Sequence, residues 1–166
     1  MKYLIGTLIC STLLLAQSET LVIDAQDFQS DDKKEISIFT GNVKIKMGQD
    51  KLNANKVDVY FTTDKDNKKV PLKYEATGKA DFEIVTTDKH YIGNGDKVIY
   101  SPEKEEYTII GNGSLQENND DRKVYGDTIY VNQLSGEARV KGSEQKPVRF
   151  IINVDRGQDK GTTKWK

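Results

Sequence analysis

The chain is poor in the residues that build redox and metal sites. Its 166 residues include one cysteine, Cys10, and one histidine, His90. A single cysteine cannot form an intrachain disulfide, and zinc and copper sites usually need several cysteine and histidine ligands. We therefore predict a fold without disulfides, with no metal site and no cofactor.

The sequence also lacks the motifs of common enzyme classes. It contains no nucleophile elbow, no phosphate-binding loop and no dinucleotide fingerprint. Asp64, Asp66 and Asn67 crowd one loop, but no distant glutamate completes a calcium loop. Glu105 and Glu106 are neighbours, and adjacent strand residues point to opposite faces, so they do not form a catalytic dyad. We predict that no residue is catalytic and that the chain is not an enzyme.

Charge and long apolar runs are limited too. The net charge of −1 gives no positive field for gathering nucleic acid. Residues 3–16 form an uncharged run after Lys2, and this run is shorter than the roughly 20 residues that span a bilayer. Small Ala16 is followed by polar residues, as at a signal cleavage site. The sequence predicts a cleaved signal peptide over residues 1–16, and hence secretion, and one domain over residues 17–154.

What the chain has in abundance is alternation of apolar and polar residues. From Phe39 to Met47 every second residue is apolar or glycine, which is typical of a half-buried strand. The pattern recurs at 74–84, 107–115 and 134–140, and second strands are predicted at 52–61, 91–100, 125–131 and 148–154. No stretch has the period of an amphipathic helix. The sequence predicts an all-β domain of repeated hairpins.

Short polar turns, such as residues 48–50 and 64–68, separate these strands and favour antiparallel pairing. We predict an elongated, twisted antiparallel β-jelly roll. A parallel β-helix is the alternative, but the repeats are less even in length than the rungs of such a helix. The polar residues 155–166 predict a disordered tail.

Four glycines share the apolar side of the alternation, so we predict that they face the interior. They are Gly41, Gly78, Gly111 and Gly136. Glycine weakens a strand by roughly 0.5–1 kcal/mol relative to alanine and leaves space where a side chain would pack. Two purposes remain open. The glycines allow bulges that curve the sheet, or they leave a hollow interior for flexible apolar chains.

The apolar residues of the same alternation are the candidate binding site. They line a groove if the interior is hollow, and they are the core if it is filled. The candidates are Phe39, Val43, Ile45, Val57, Val59, Ala80, Phe82, Ile84, Val98, Ile109, Leu115, Ile129 and Val140. Each buried methylene of a ligand contributes about 0.8 kcal/mol without requiring a polar partner. Such a site needs no catalytic residue.

Three segments carry a resemblance to a known family. Residues 21–28 (LVIDAQDF) read as an opening strand with an alanine and an acidic residue, residues 39–45 (FTGNVKI) contain Thr-Gly-x-Val, and residues 52–60 (LNANKVDVY) contain Leu-x-Ala-x-x-Val-x-Val-Tyr. The unit then recurs. Over residues 20–154 the chain resembles the LptA/OstA-type proteins of lipopolysaccharide transport.

The resemblance implies a periplasmic jelly roll whose interior holds the lipid A acyl chains of lipopolysaccharide. It implies a soluble bridge that takes its cargo from an inner-membrane-anchored partner with an OstA-like domain and passes it to the OstA-like domain of an outer-membrane barrel. It also implies head-to-tail self-association through the terminal strands. The residues of those edges are Leu21, Val22, Ile23, Phe150, Ile151 and Ile152. The alternative function is a secreted β-repeat adaptor that binds protein partners and carries no lipid.

Overall fold

The structure, a computed structural model, describes residues 20–118 and 120–154. Within them lie ten strands and one short 3-10 helix, Pro102–Lys104. The strands are β1 (Leu21–Asp24), β2 (Asp27–Asp31), β3 (Ile36–Met47), β4 (Asp50–Thr63), β5 (Lys69–Val85), β6 (His90–Ser101), β7 (Glu106–Glu117), β8 (Lys123–Asn132), β9 (Ala138–Lys141) and β10 (Arg149–Ile151). The predicted signal peptide (1–16) and the predicted tail (155–166) lie outside the described residues.

All the strands join one 10-stranded antiparallel sheet. The order is β1-β3-β4-β5-β6-β7-β8-β10, while β2 pairs with β3 and β9 with β8. Successive long strands are therefore sheet neighbours, as short polar turns dictate. The predicted antiparallel jelly roll is confirmed, and the parallel β-helix alternative is wrong because every pairing in the described residues is antiparallel.

Bulges divide the long strands of the sheet into two parts. The pairing register shifts between Thr40 and Val43, between Thr77 and Ala80, and between Ile110 and Gly113. Bulges bend the strand that carries them. We call the two parts half-sheet A and half-sheet B. Half-sheet A contains β2, β9 and residues 36–40, 56–63, 69–77, 97–101, 106–110 and 128–132. Half-sheet B contains β1, β10 and residues 43–47, 50–54, 80–85, 90–95, 113–117 and 123–126.

Three of the four predicted interior glycines form these bulges. Gly41, Gly78 and Gly111 have φ values of 82°, 83° and 76°, in a region that side chains rarely adopt. A Cβ at Gly78 would lie 2.8 Å from Nδ2 of Asn55, an exposed side chain, and a Cβ at Gly111 would meet exposed Asp96. These glycines therefore do not open space in the interior. The prediction that they face it is wrong, because a bulge interrupts the alternation on which the prediction relied.

The fourth predicted glycine is not in a strand. Gly136 has a φ of 67° and follows the turn after β8, and Leu134 in that turn is 69% exposed. The strand predicted over residues 134–140 therefore begins only at Ala138, and the one predicted over 148–154 is reduced to β10. Turn residues override the alternation here because Gly136 N donates to Asn132 O at 2.9 Å.

Other glycines do face the interior, at the fold line between the half-sheets. A Cβ at Gly95 would lie 2.4 Å from Cγ2 of Ile109, and a Cβ at Gly126 would lie 2.4 Å from Cγ1 of Val140. In each case a glycine of half-sheet B lies beneath an aliphatic side chain of half-sheet A on the next strand. Small residues at the fold line thus let the two halves approach closely.

Candidate functional site

The predicted groove residues come together in a single cluster between the half-sheets. Phe39, Ile45 and Val140 are partly buried and pack against the cluster, and the other candidates lie inside it. The fully enclosed members include Val43, Ile84, Ile109 and Ile129, each with 0% exposure. The alternation therefore identified the inner face of the roll correctly. Whether these residues contact a ligand stays a prediction.

The interior is filled more completely than a hollow groove would be. Beside β1 an apolar slot has a volume of about 30 Å³, enough for a water molecule or two. One wall is a ladder of tyrosines on half-sheet A, where Tyr100 stacks on Tyr107 at 4.4 Å and lies 6.0 Å from Tyr74. Burial raises the pKa of Tyr74. The opposite wall is aliphatic and includes Leu21, Ile45, Met47 and Leu52. Gly41, Gly78 and Gly111 were expected to leave space in the interior, but none of them lines this slot.

The apolar interior reaches the surface at the β1–β2 edge of the roll. Phe28 of β2 pairs with Phe39 of β3, and their rings lie 4.9 Å apart. Since Phe39 pairs with core Val57, both rings belong to the inner face. Phe28 is nevertheless 63% exposed. Although the Phe28 ring faces inward and contacts Phe39, the described residues leave most of its surface exposed to solvent.

The interior also opens at the opposite edge. A concavity of about 260 Å³ is lined mostly by apolar side chains, including Leu115, Val124, Val140 and Phe150, and also by Glu117 and Arg122. Phe150 of β10 pairs with Val124 and is 58% exposed. The inner face therefore continues from the Phe28 edge to the Phe150 edge.

The strands at both edges present backbone groups to solvent. Among the described residues, β1 pairs only with β3 and β10 only with β8. The predicted edge residues Leu21, Val22 and Ile23 lie in β1, and Phe150 and Ile151 lie in β10, whereas Ile152 follows it. Leu21 and Ile23 pack on the core, while Val22 is 46% and Ile152 50% exposed. Both edges are suited to adding a strand from another chain.

A buried polar cluster joins the two half-sheets at the mouth, the side opposite the fold line. Asp50 begins β4 in half-sheet B and is 7% exposed. Its Oδ2 accepts hydrogen bonds from Tyr107 Oη of half-sheet A at 2.5 Å and from Nε2 of Gln133, the residue directly after β8 of half-sheet A, at 2.7 Å. Its Oδ1 accepts from the Val85 amide at 2.8 Å. Gln133 Nε2 also donates to Val85 O at 3.1 Å. We call Asp50, Tyr107, Gln133 and Val85 the clasp.

Near the clasp, another hydrogen bond crosses the mouth. Tyr91 Oη at the start of β6 donates to Gly136 O at 3.1 Å. Thr86 lies close to the same glycine, since a Cβ at Gly136 would be 3.7 Å from Thr86 Oγ1. The half-sheets are thus held together at the mouth by polar contacts, and at the fold line by the continuous strands.

Sequence reasoning missed the clasp. Asp50, Leu52 and Ala54 share one face of β4 and are all buried, so alternation along the start of this strand places a carboxylate inside. That signal was available in the sequence. The partners were not, because 57 and 83 residues separate Asp50 from Tyr107 and Gln133.

The outer face of half-sheet A is charged. Glu75 Oε1 accepts from Lys73 Nζ at 2.5 Å, and Oε2 lies 2.6 Å from Lys97 Nζ. Burial raises the pKa of the Glu75 carboxyl, but the two ammonium groups together outweigh burial and lower it. The hydrogen bond to Glu75 in turn raises the pKa of Lys73. These charges lie on the face opposite Tyr74 and Ala76, away from the apolar interior.

Two features are absent from the described residues, a membrane-spanning helix and a metal-binding cluster. Residues 20–118 and 120–154 contain no helix that is long and apolar enough to cross a membrane. Within the same ranges no group of three or more histidine, cysteine, aspartate and glutamate side chains is arranged to hold a metal ion.

Comparisons with known proteins agree with this architecture. The periplasmic lipopolysaccharide-transport component LptH of Pseudomonas aeruginosa, a homologue of LptA, superimposes with a TM-score of 0.68 at 16% identity, over 82% of this chain and 96% of that one. No curated protein sequence matches the chain significantly. The profile of a family described as LptA/(LptD N-terminal domain) LPS transport protein matches residues 22–137, more than half of the chain. The chain therefore belongs to the LptA/LptD N-terminal domain family of lipopolysaccharide-transport proteins.

Proposed function

We propose that the protein is a soluble periplasmic carrier that holds the lipid A acyl chains of lipopolysaccharide between its half-sheets. The observation that carries the proposal is the apolar inner face that continues from exposed Phe28 at one edge to exposed Phe150 at the other. Acyl chains gain about 0.8 kcal/mol per buried methylene and need no polar partner there. Family membership supplies the cargo class.

We also propose how the cargo moves. The protein receives lipopolysaccharide from an inner-membrane-anchored partner with a similar domain and passes it to the matching domain of an outer-membrane barrel. Strand addition at β1 and β10 would align the inner faces of successive domains, because a paired edge continues the sheet. The same geometry permits head-to-tail self-association. Leu21, Val22 and Ile23 at one edge and Phe150, Ile151 and Ile152 at the other would form these joints.

Photo-crosslinking in cells tests the cargo and its location. We would place a photoreactive residue at Phe39 and at Phe82, both on the inner face, and at Asp81 as a matched control. Asp81 is adjacent to Phe82 but exposed on the outer face. We expect lipopolysaccharide adducts from Phe39 and Phe82 only. Adducts from Asp81 alone would contradict binding between the half-sheets.

The filled interior favours a second candidate, a β-repeat adaptor that binds protein partners and carries no lipid. The small slot of about 30 Å³ is the specific observation behind it. Mass spectrometry of the protein purified from the periplasm separates the two functions. Copurified lipid A species support the carrier, whereas a protein that purifies with partner proteins and no lipid supports the adaptor.

A further inference from the structure

The small volume of the slot raises the question of how acyl chains enter it. Binding sites for drug-sized ligands usually have volumes of about 300–1,000 Å³, whereas the slot behind the tyrosine ladder has about 30 Å³. If the protein carries lipid as proposed above, on which this inference rests, the half-sheets must separate to receive it. The contacts that resist separation then decide where the cargo enters.

A larger concavity lies directly outside the slot, at the mouth. It has a volume of about 400 Å³, and its lining is mostly polar and includes Gln49, Thr86, Glu105 and Gln133. Met47, Asp50 and Tyr100 line both this concavity and the slot. The clasp residue Asp50 therefore lies at the partition between a polar space open to solvent and the apolar interior.

The chemistry of the clasp suits a contact that opens and recloses. Its bonds between half-sheets are hydrogen bonds from Tyr107 and Gln133 to one carboxylate oxygen. When such bonds open, water replaces the lost partners, so the net cost is a fraction of their strength. In the closed state these hydrogen bonds satisfy the Asp50 carboxylate, which would be costly to bury without partners. If apolar side chains closed the mouth instead, water could not form hydrogen bonds with them in the open state. The polar part of the lipid would then have no polar groups beside it.

We propose that the clasp of Asp50, Tyr107, Gln133 and Val85 is a gate, and that acyl chains enter laterally through the mouth when it opens. The saccharide part of the amphiphile stays in the polar concavity while its acyl chains pass between the tyrosine ladder and the aliphatic wall of half-sheet B. Asp50 is then a gating residue, and its partners close the mouth over an empty interior.

A reversible lock across the mouth tests the gate. Thr86 and Gly136 lie on opposite sides of the mouth, and a Cβ at Gly136 would lie 3.7 Å from Thr86 Oγ1, so cysteine side chains at the two positions can reach each other. We would prepare T86C/G136C in a C10S background, which leaves no other cysteine. The probe is purified lipid A with an environment-sensitive dye on an acyl chain, offered in detergent micelles. We expect the oxidised protein to load on the order of tenfold more slowly than the same sample after reduction.

A second variant weakens the gate instead of locking it. Tyr107→Phe removes one of the hydrogen bonds between half-sheets and keeps the ring that stacks on Tyr100. We expect loading of the same probe to be about tenfold faster. Tyr130→Phe is the matched control, since it removes a tyrosine hydroxyl from the outer face, where the ring lies beside Arg139 and Lys141, and it should load at the rate of the unmodified protein.

The outcomes separate the gate from the proposed function. If the unmodified protein binds the probe and the oxidised and reduced T86C/G136C samples load at equal rates, the gate is wrong and the carrier function stands. Equal rates for Tyr107→Phe and Tyr130→Phe would also overturn the gate. If no form of the protein binds lipid A, the proposed function fails and the gate fails with it.

Discussion

Gly95 lies directly beneath Ile109, so close that a Cβ on the glycine would be 2.4 Å from Cγ2 of the isoleucine. Both residues are buried, and Ile109 has no exposed surface. They belong to different half-sheets on neighbouring strands, β6 and β7. The contact therefore fixes how tightly the sheet folds on itself.

Gly95→Ala should be destabilising because the added methyl group has no room. Overpacking a well-filled core costs about 1–3 kcal/mol. Ile109→Leu removes the β-branched methyl that meets the new Cβ, so the double variant Gly95→Ala/Ile109→Leu should recover part of the loss. Urea unfolding of the single and double variants measures the coupling energy. Strictly additive effects would show that the two residues do not share this space.

The glycines with positive φ, in the bulges and in the turn after β8, should contribute to stability rather than to ligand space. Gly136→Ala is expected to cost about 1 kcal/mol, because alanine is strained at positive φ. Gly78→Ala should cost more, since its Cβ would also approach Asn55 Nδ2 at 2.8 Å, whereas the contact at Gly136 is an ordinary 3.7 Å. Thermal unfolding measures both losses. Equal stability of Gly78→Ala and the unmodified protein would contradict the assigned bulge.

The ion pairs of Glu75 should make stability depend on pH in the acid range. Its pKa is lower in the folded protein than the ordinary value of 4.5. The unfolded state therefore binds more protons as pH falls, so the stabilisation is complete above 4.5 and is lost as pH falls through the folded-state pKa. At neutral pH, Glu75→Gln should lower the free energy of unfolding by about 1 kcal/mol.

That difference should shrink below pH 4.5, where the Glu75 carboxylate becomes protonated. Glu144→Gln is the matched control, because Glu144 is exposed and the charge change is the same. Urea unfolding across the acid range checks the prediction. A Glu75→Gln effect that stays constant down to the lowest pH would mean that the carboxylate's charge contributes nothing.

Ile151→Pro should weaken end-to-end association. Proline removes a backbone donor from edge strand β10, and strand addition depends on such donors. Ile151→Thr removes a similar apolar surface but keeps the donor, so it separates backbone pairing from burial. We expect light scattering to show shorter oligomers for the proline variant than for the threonine variant. Oligomers of unchanged size in both would argue against a joint at β10.

The sequence predicted the inner face of the sheet well because side-chain direction in a strand is a local property. Phe82, Ile84 and Leu115 were identified from alternation alone, and all are buried. Turn residues likewise predicted the hairpins and their antiparallel pairing. The same local rule failed at Gly78, because this glycine forms a bulge with positive φ and a Cβ on it would meet exposed Asn55.

The amino-acid sequence by itself determined that this protein is an antiparallel β-sheet with one apolar face, because alternation and turn chemistry act over a few residues. Only the tertiary structure decided how that sheet folds, since the bulges must align across neighbouring strands before the half-sheets face each other. It also decided that Asp50 meets Tyr107 and Gln133. Contacts between residues so distant in the chain depend on the summed geometry of every strand between them, and no local pattern records that sum.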